Sequence, residues 1–251
     1  MCTFVAAVGA DRRWPLVVAA TRDERPGRPS ESWAVRDLPG GARAAAPRDA
    51  VHGGTWIGVA QTGLLVGITN YYSPDDRFPD GSLRTRGELV SKALAAGSVR
   101  SARSALQAMD AAHYNPFHLV VLEGSGGFLW RYDGRRADWH DLGPGLHVVT
   151  ERDPHGRSPR AEFVRARWPF DLTPGKLREA ISGHGEPAFD YPCIHVGQVY
   201  GTRSASILRL APSLANSELY VADGAPCTSP FQDRSPLLAG LARGPGAASS
   251  A

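Results

Sequence analysis

The apolar residues of this chain fall first into short runs and alternations that read as strands. Such runs cover Thr3 to Val8, Leu16 to Ala20, Trp56 to Ala60 and Leu64 to Thr69, with Gln61-Thr62-Gly63 as a tight turn between the last two. The spacing then changes to that of amphipathic helices. Leu89, Val90, Ala93 and Leu94 recur within Leu83 to Ala96, and Ala102, Ala105, Leu106 and Met109 within Val99 to Ala112, with Gly97-Ser98 as the break. Strands resume at Phe117 to Leu122 and Phe128 to Tyr132, joined by a turn at Gly124-Ser125-Gly126-Gly127, and again at Gly145 to Thr150. Helices are expected at Pro159 to Trp168 and Thr173 to Ser182, and the last strands at Ser204 to Leu210 and Glu218 to Ala222.

Strands, helix pair, strands, helix pair, strands is not the strict alternation of a doubly wound parallel sheet. It predicts an α+β fold of four layers, αββα, with two antiparallel sheets between helical layers. One domain is expected over residues 1–241, and the Gly, Ala and Ser residues of 242–251 read as a disordered tail.

Composition narrows the class. The chain has 251 residues, 42% apolar and 21% charged, near the averages of folded proteins. No apolar run reaches the ~18 residues that span a bilayer. Phe4 to Ala10 is too short, and lacks a basic segment ahead of it, for a signal peptide, so a cytoplasmic location is expected. The formal charge of +3 comes from arginines scattered among acids, with lysine only at Lys92 and Lys176, which does not match a nucleic-acid footprint. The composition fixes no oligomeric state. Cys2, Cys193 and Cys227 are an odd, widely spaced set, expected as reduced thiols.

Cys2 directly follows Met1. Removal of Met1 would leave one residue with both a thiol and an α-amine whose reference pKa of about 7.7 to 8.0 suits it to take the thiol proton. Such a nucleophile needs a neighbouring positive charge and an acid that orients the ammonium group. Arg22 and Asp23 follow the second strand, and a hairpin of the first two strands brings them beside the start of the chain.

Six blocks in order carry a resemblance: Met1-Cys2-Thr3; Pro15 through Glu24 with Arg28-Pro29; Gly53-Gly54-Thr55-Trp56-Ile57-Gly58-Val59; Thr69-Asn70-Tyr71; Arg86-Gly87-Glu88-Leu89-Val90; and Tyr200-Gly201-Thr202-Arg203-Ser204. Together they resemble the Asn-Arg-Asp-Glu (NRDE) family, which includes the transport and Golgi organisation 2 proteins. That family is in turn similar to the N-terminal nucleophile hydrolases of the bile-salt hydrolase and penicillin V acylase type. The resemblance implies Cys2 as nucleophile, Asp23 as its orienting acid with Arg22 beside it, and Asn70 as an oxyanion donor. It implies a small-molecule amide or acyl substrate and no cofactor. Thr21, Glu24, Trp56, Tyr71, Glu151 and Arg203 are assigned to substrate binding.

Three positions depart from the family pattern. Thr21 stands for the Asn that opens the family's motif, Ala20 for an Arg of the amidases, and Glu151 for an Asn that serves them as second oxyanion donor. An ionised Glu151 accepts and does not donate. An alternative is therefore a non-catalytic carrier on the same fold, since relatives are implicated in haem and lipid handling. His118 and Cys2 are the residue types that ligate haem iron axially, and acyl-CoA is a second cargo. Cys193, His195 and Cys227 lack the paired spacings of structural zinc and show no fourth ligand, so no metal site is expected.

Overall fold

Alternation along the strands sorts apolar side chains onto the two faces of two sheets. The computed structural model describes residues 3–72, 79–153 and 155–243. In chain order the first strands are β1 (Thr3–Val8), β2 (Leu16–Glu24), β3 (Ser30–Asp37), β4 (Arg43–Asp49), β5 (Ile57–Ala60) and β6 (Leu65–Asn70). Helices α1 (Gly87–Ala96) and α2 (Val99–Gln107) precede β7 (Phe117–Glu123), β8 (Gly126–Tyr132), β9 (Ala137–Leu142) and β10 (Gly145–Thr150). Then come α3 (Pro159–Arg167), α4 (Pro174–Ser182), β11 (His195–Val196), β12 (Tyr200–Leu210), β13 (Glu218–Ala222), β14 (Gln232–Asp233) and α5 (Ser235–Ala242).

The first sheet runs β10-β1-β2-β12-β13-β14 with β11 beside β12, and the second runs β3 through β9 in sequence order. All these pairings are antiparallel. Phe4, Ala6, Val8, Leu16 and Val18 point from the first sheet onto Val59, Leu65, Val120, Leu122 and Leu129 of the second. The alternate residues face the helices. Val17, Ala19 and Ile207 lie under Leu177 and Ile181 of α4, and Val5 and Val148 under Ala161 and Val164 of α3. Val66, Leu119 and Val121 lie under Leu89, Val90 and Leu94 of α1 and Leu106 of α2. Each Val, Leu, Ile or Phe among them contributes ~1.5 to 3 kcal/mol by leaving water, which makes a one-residue register slip prohibitive. The result is the expected αββα stack.

Gly67 makes the two sheets' approach possible. A Cβ there would lie 2.5 Å from Phe4 Cε2, so only a bare backbone leaves room for that ring between the sheets.

Several elements differ from the sequence expectation: β2 runs on through Glu24, so Arg22 and Asp23 lie within it and not after it, and the short strands β11 and β14 are additional. β3 buries only Trp33, and β4 reads Arg-Ala-Ala-Ala-Pro-Arg-Asp, so neither shows the β-branched alternation that marks a strand. β9 is likewise an edge strand, half-buried with no fully buried residue. α5 adds Leu238 and Leu241 to the inter-sheet core and takes in Ala242, the first residue of the expected tail; residues 244–251 of that expected tail lie outside the described residues. Among the described residues no helix is long and apolar enough to cross a membrane.

Candidate active site

The β1–β2 hairpin does bring the start of the described chain to the end of β2. Phe4 pairs with Ala20, and the next pair outward is closed by the Thr3 N–H, which donates to Thr21 Oγ1 at 3.2 Å. Thr21 thus secures the strand end. Cys2, the expected nucleophile, lies outside the described residues.

Asp23 follows two residues on, fully buried, paired with Thr202 of β12. Thr202 Oγ1 donates to Asp23 Oδ1 at 2.6 Å, and Tyr200 Oη donates to the Asp23 carbonyl at 3.1 Å. Arg160 Nη1 stands 3.9 Å from Asp23 Oδ2 and 2.7 Å from Glu151 Oε2, all three groups being at most 1% exposed. Arg160 also donates through Nε and Nη2 to the Phe189 carbonyl, at 3.0 and 2.7 Å. One guanidinium fork therefore serves two carboxylates and a carbonyl, a task that suits arginine and not lysine. Burial pushes the Asp23 carboxyl up to about 6, against the pull of Arg160 and of the Thr202 hydroxyl. Glu151 turns its charge onto Arg160, and its carbonyl accepts from the Tyr72 N–H at 2.7 Å.

Arg22, 6% exposed, lays its guanidinium over the Trp56 ring at 4.5 Å and approaches Glu24 Oε2 at 3.9 Å. Arg22, Asp23, Glu24, Trp56 and Asn70 all line one cavity of about 140 Å³, together with Thr55 and Arg86. Asn70, at the end of β6, donates through Nδ2 to Tyr72 Oη at 3.1 Å. This recess shares Glu24, Arg28, Asn70, Thr85 and Arg86 with a wider cavity of about 590 Å³, whose other walls include Arg25, His52, Tyr72, Arg84 and Tyr200. Three of its arginines are anchored: Arg28 to Asp49 at 2.5 Å and Glu24 at 3.6 Å, Arg84 to Glu88 at 2.8 Å, and Arg86 to the Pro116 carbonyl at 2.8 Å.

Four expected binding residues line neither cavity: Thr21 and Glu151, engaged with the Thr3 N–H and with Arg160, and Arg203 and Tyr71. The β2–β12 register shifts between Thr202 and Ser204, so Arg203 is the extra residue of a bulge and is exposed, lining neither cavity. Tyr71 packs its ring on His118 at 4.7 Å, and Tyr72 takes the cavity position. Successive residues of an extended segment face opposite ways, so Asn70 and Tyr72 share a side that Tyr71 does not. His118 is fully buried; its Nδ1 lies 3.1 Å from the Thr150 carbonyl and 3.3 Å from Thr69 Oγ1, and burial holds its pKa down to about 3.

Sequence reasoning missed Arg160, Thr202, Tyr200 and Arg86 as site groups. The last three stood inside the quoted blocks as markers of order, while Arg160 opens a helix with no local sign that it turns inward. The expectation that Cys193, His195 and Cys227 lack a fourth ligand is also corrected, because the fold brings His184 to them.

A sequence profile for the family described as Transport and Golgi organisation 2 matches residues 1–169. The Transport and Golgi organization protein 2 homolog of Bos taurus is 32% identical over 146 residues, which cover 54% of this chain and 50% of that protein. The chain thus spans about half the length of the curated relatives it matches. Among solved structures, penicillin V acylase from Agrobacterium tumefaciens superposes with a TM-score of 0.59 at 12% identity, over 94% of this chain and 88% of that one. The Caenorhabditis elegans ortholog of N-acylethanolamine-hydrolyzing acid amidase gives 0.56, also at 12% identity, over 83% and 92%. At such identities the likeness shows the fold, that of the N-terminal nucleophile hydrolases.

Proposed function

Because the chain belongs to the Transport and Golgi organisation 2 family and has the fold of N-terminal nucleophile hydrolases, we propose that it cleaves a non-peptide amide or transfers an acyl group, with Cys2 as nucleophile. Met1 is removed; the Cys2 α-amine takes the thiol proton, and the thiolate attacks the substrate carbonyl. The tetrahedral intermediate collapses to a thioester as the amine leaves with that proton, and water deprotonated by the α-amine hydrolyses the thioester. Asp23 orients the α-ammonium group and Asn70 donates to the oxyanion. Substrates with an anionic group fit best, since Arg25, Arg28, Arg84 and Arg86 line the wider cavity.

The observation that carries this reading is the convergence of Arg22, Asp23 and Asn70, from two different sheets, on one recess next to the Thr3–Thr21 strand end. Glu151 bears on the same question: with its charge held by Arg160, the departure from the family pattern supplies an internal counterion to the site. The test is a screen of amide and acyl-CoA substrates, with intact mass and limiting iodoacetamide labelling to follow Met1 and Cys2. Loss of Met1, preferential labelling of Cys2 and abolished turnover in Cys2→Ala are expected. An unchanged rate in Cys2→Ala would sink the proposal.

A second reading, carriage of haem or acyl-CoA without turnover, draws on His118. Its Nε2 is buried without a hydrogen-bond partner among the described residues, and an Nδ1–H donated to Thr150 leaves Nε2 with the lone pair that iron takes. Haem titration that gives no Soret shift removes the haem version.

A further inference from the structure

On the far side of β12 from the cleft, four metal-ligating side chains converge from three separate stretches. His184 follows the Gly183 that ends α4, Cys193 and His195 bracket Ile194 at the start of β11, and Cys227 lies in the turn between β13 and β14. One ligand atom from each lies within 4.8 Å of all the others. The Cys193 and Cys227 sulfurs are 3.4 Å apart, and His195 Nε2 stands 3.4 Å from Cys193 Sγ and 3.2 Å from Cys227 Sγ.

These are close to the edges of a metal tetrahedron. Zinc bonds of ~2.3 Å to sulfur and ~2.0 to 2.1 Å to nitrogen set ligand separations of about 3.8 Å for two sulfurs and about 3.5 Å for sulfur and nitrogen. A second observation concerns His184. Its Nδ1 lies 3.2 Å from the Ser182 carbonyl, which can only accept, so the tautomer that makes this bond has its lone pair on Nε2. A carbonyl behind the ring is how metal-bound imidazoles are oriented. Two thiols exclude magnesium or calcium as the natural occupant, and two imidazoles with two thiols match a borderline-soft ion.

We infer that His184, Cys193, His195 and Cys227 form a Cys2His2 site for a zinc ion. Four protein ligands leave no open position, so the ion is structural. Its neighbour shows what it braces. Ile194, between two ligands, donates its N–H to Thr202 Oγ1 at 2.8 Å and accepts from the Thr202 N–H at 2.9 Å. The same hydroxyl donates to Asp23. The ion therefore clamps the hairpin that holds the Asp23 carboxylate. The metal site stands apart from the proposed hydrolase chemistry; only the value of bracing Asp23 rests on it.

The test is metal analysis of the full chain purified under reducing conditions, followed by chelation and cobalt(II) titration. One equivalent of zinc is expected. Cobalt(II) should give the visible bands of a tetrahedral ion and a sulfur-to-cobalt charge-transfer band. Cys227→Ser and His184→Ala, both outside the buried core, should each weaken retention at least about tenfold. A chain that is folded by circular dichroism but takes up neither ion overturns the inference, as does zinc retained undiminished in both variants. A Cys193–Cys227 disulfide in the freshly isolated, unreduced protein also overturns it, since it consumes both thiolates. None of these readouts depends on turnover, so the site can fail while the hydrolase reading stands, and the reverse.

Discussion

The cleft and the His/Cys cluster lie on either side of β12, and their polar groups are satisfied in opposite ways. In the cleft the charges answer one another: Arg160 spans Asp23 and Glu151, Thr202 holds Asp23, and Arg22 rests on Trp56 beside Glu24. Such a constellation is set before any ligand arrives, which is what stabilising a transient charge requires. In the cluster, thiols and imidazoles face one another, with one ligand atom from each of the four within 4.8 Å of all the others. A constellation that is complete by itself suits a passing substrate. One that is complete only around a central ion suits a resident.

The largest way to break this comparison is to remove the cleft's internal cation. Arg160→Leu leaves two buried carboxylates without their shared partner, and a loss of about 3 to 5 kcal/mol is expected in denaturant unfolding. Arg160→Lys should recover only part of it, because a point charge cannot serve Asp23, Glu151 and the Phe189 carbonyl together. Full stability in Arg160→Leu would show that the triad is not the cleft's organising element.

How much of this the sequence carried depends on how locally each feature is encoded. The β1–β2 hairpin and the α1–α2 pair were legible because their apolar periods are strong and short-range. Arg22, Asp23 and Asn70 were legible as an ordered set, although they meet across two sheets. β3 and β4 were not, because Trp33 and three alanines give no alternation. Arg203 was misplaced by a bulge that no residue type announces, and Tyr71 by a single residue, the smallest error that reverses a side chain. The fourth ligand escaped because His184 reaches Cys227 only once α4, the β11–β12 hairpin and the turn after β13 are packed together.

Acidity sharpens the comparison next, because Asp23 belongs to the cleft. Folding raises its carboxyl from 3.8 to about 6. Between those values the folded chain holds a proton that the unfolded chain has released, so stability falls as pH rises through the window. The full loss, present above about pH 6, is on the order of 3 kcal/mol. Asp23→Asn lacks this term. Its stability relative to the parent should therefore climb from about pH 4 to pH 6 in parallel denaturation curves. His118, held down to about 3, acts with the other sign, losing stability as pH falls below 6.5. It is common to both proteins and cancels in the difference. A flat difference would mean that Asp23 is ionised at no cost in the fold. If Asp23 orients the α-ammonium, the same titration gives turnover an acidic limb near pH 6 that Asp23→Asn abolishes.

The smallest effect tests whether the two regions are joined at all. Thr202 Oγ1 is the atom common to both, accepting from Ile194 and donating to Asp23. Thr202→Val keeps the shape of the side chain and removes the oxygen, so an expected cost of about 1 to 3 kcal/mol reports the loss of that oxygen's two buried hydrogen bonds, from the Ile194 N–H and to Asp23. Two further shifts distinguish a shared hydroxyl from a merely buried one. The Asp23 transition should move upward, because the hydroxyl is one of the interactions that lower it. Zinc should leave the chain faster on chelation, because Ile194 is freed on one side. Loss of stability with neither shift would mean that cleft and cluster are braced independently. Movement of both would show that the ion's hold on the β11–β12 hairpin reaches the carboxylate through one hydroxyl.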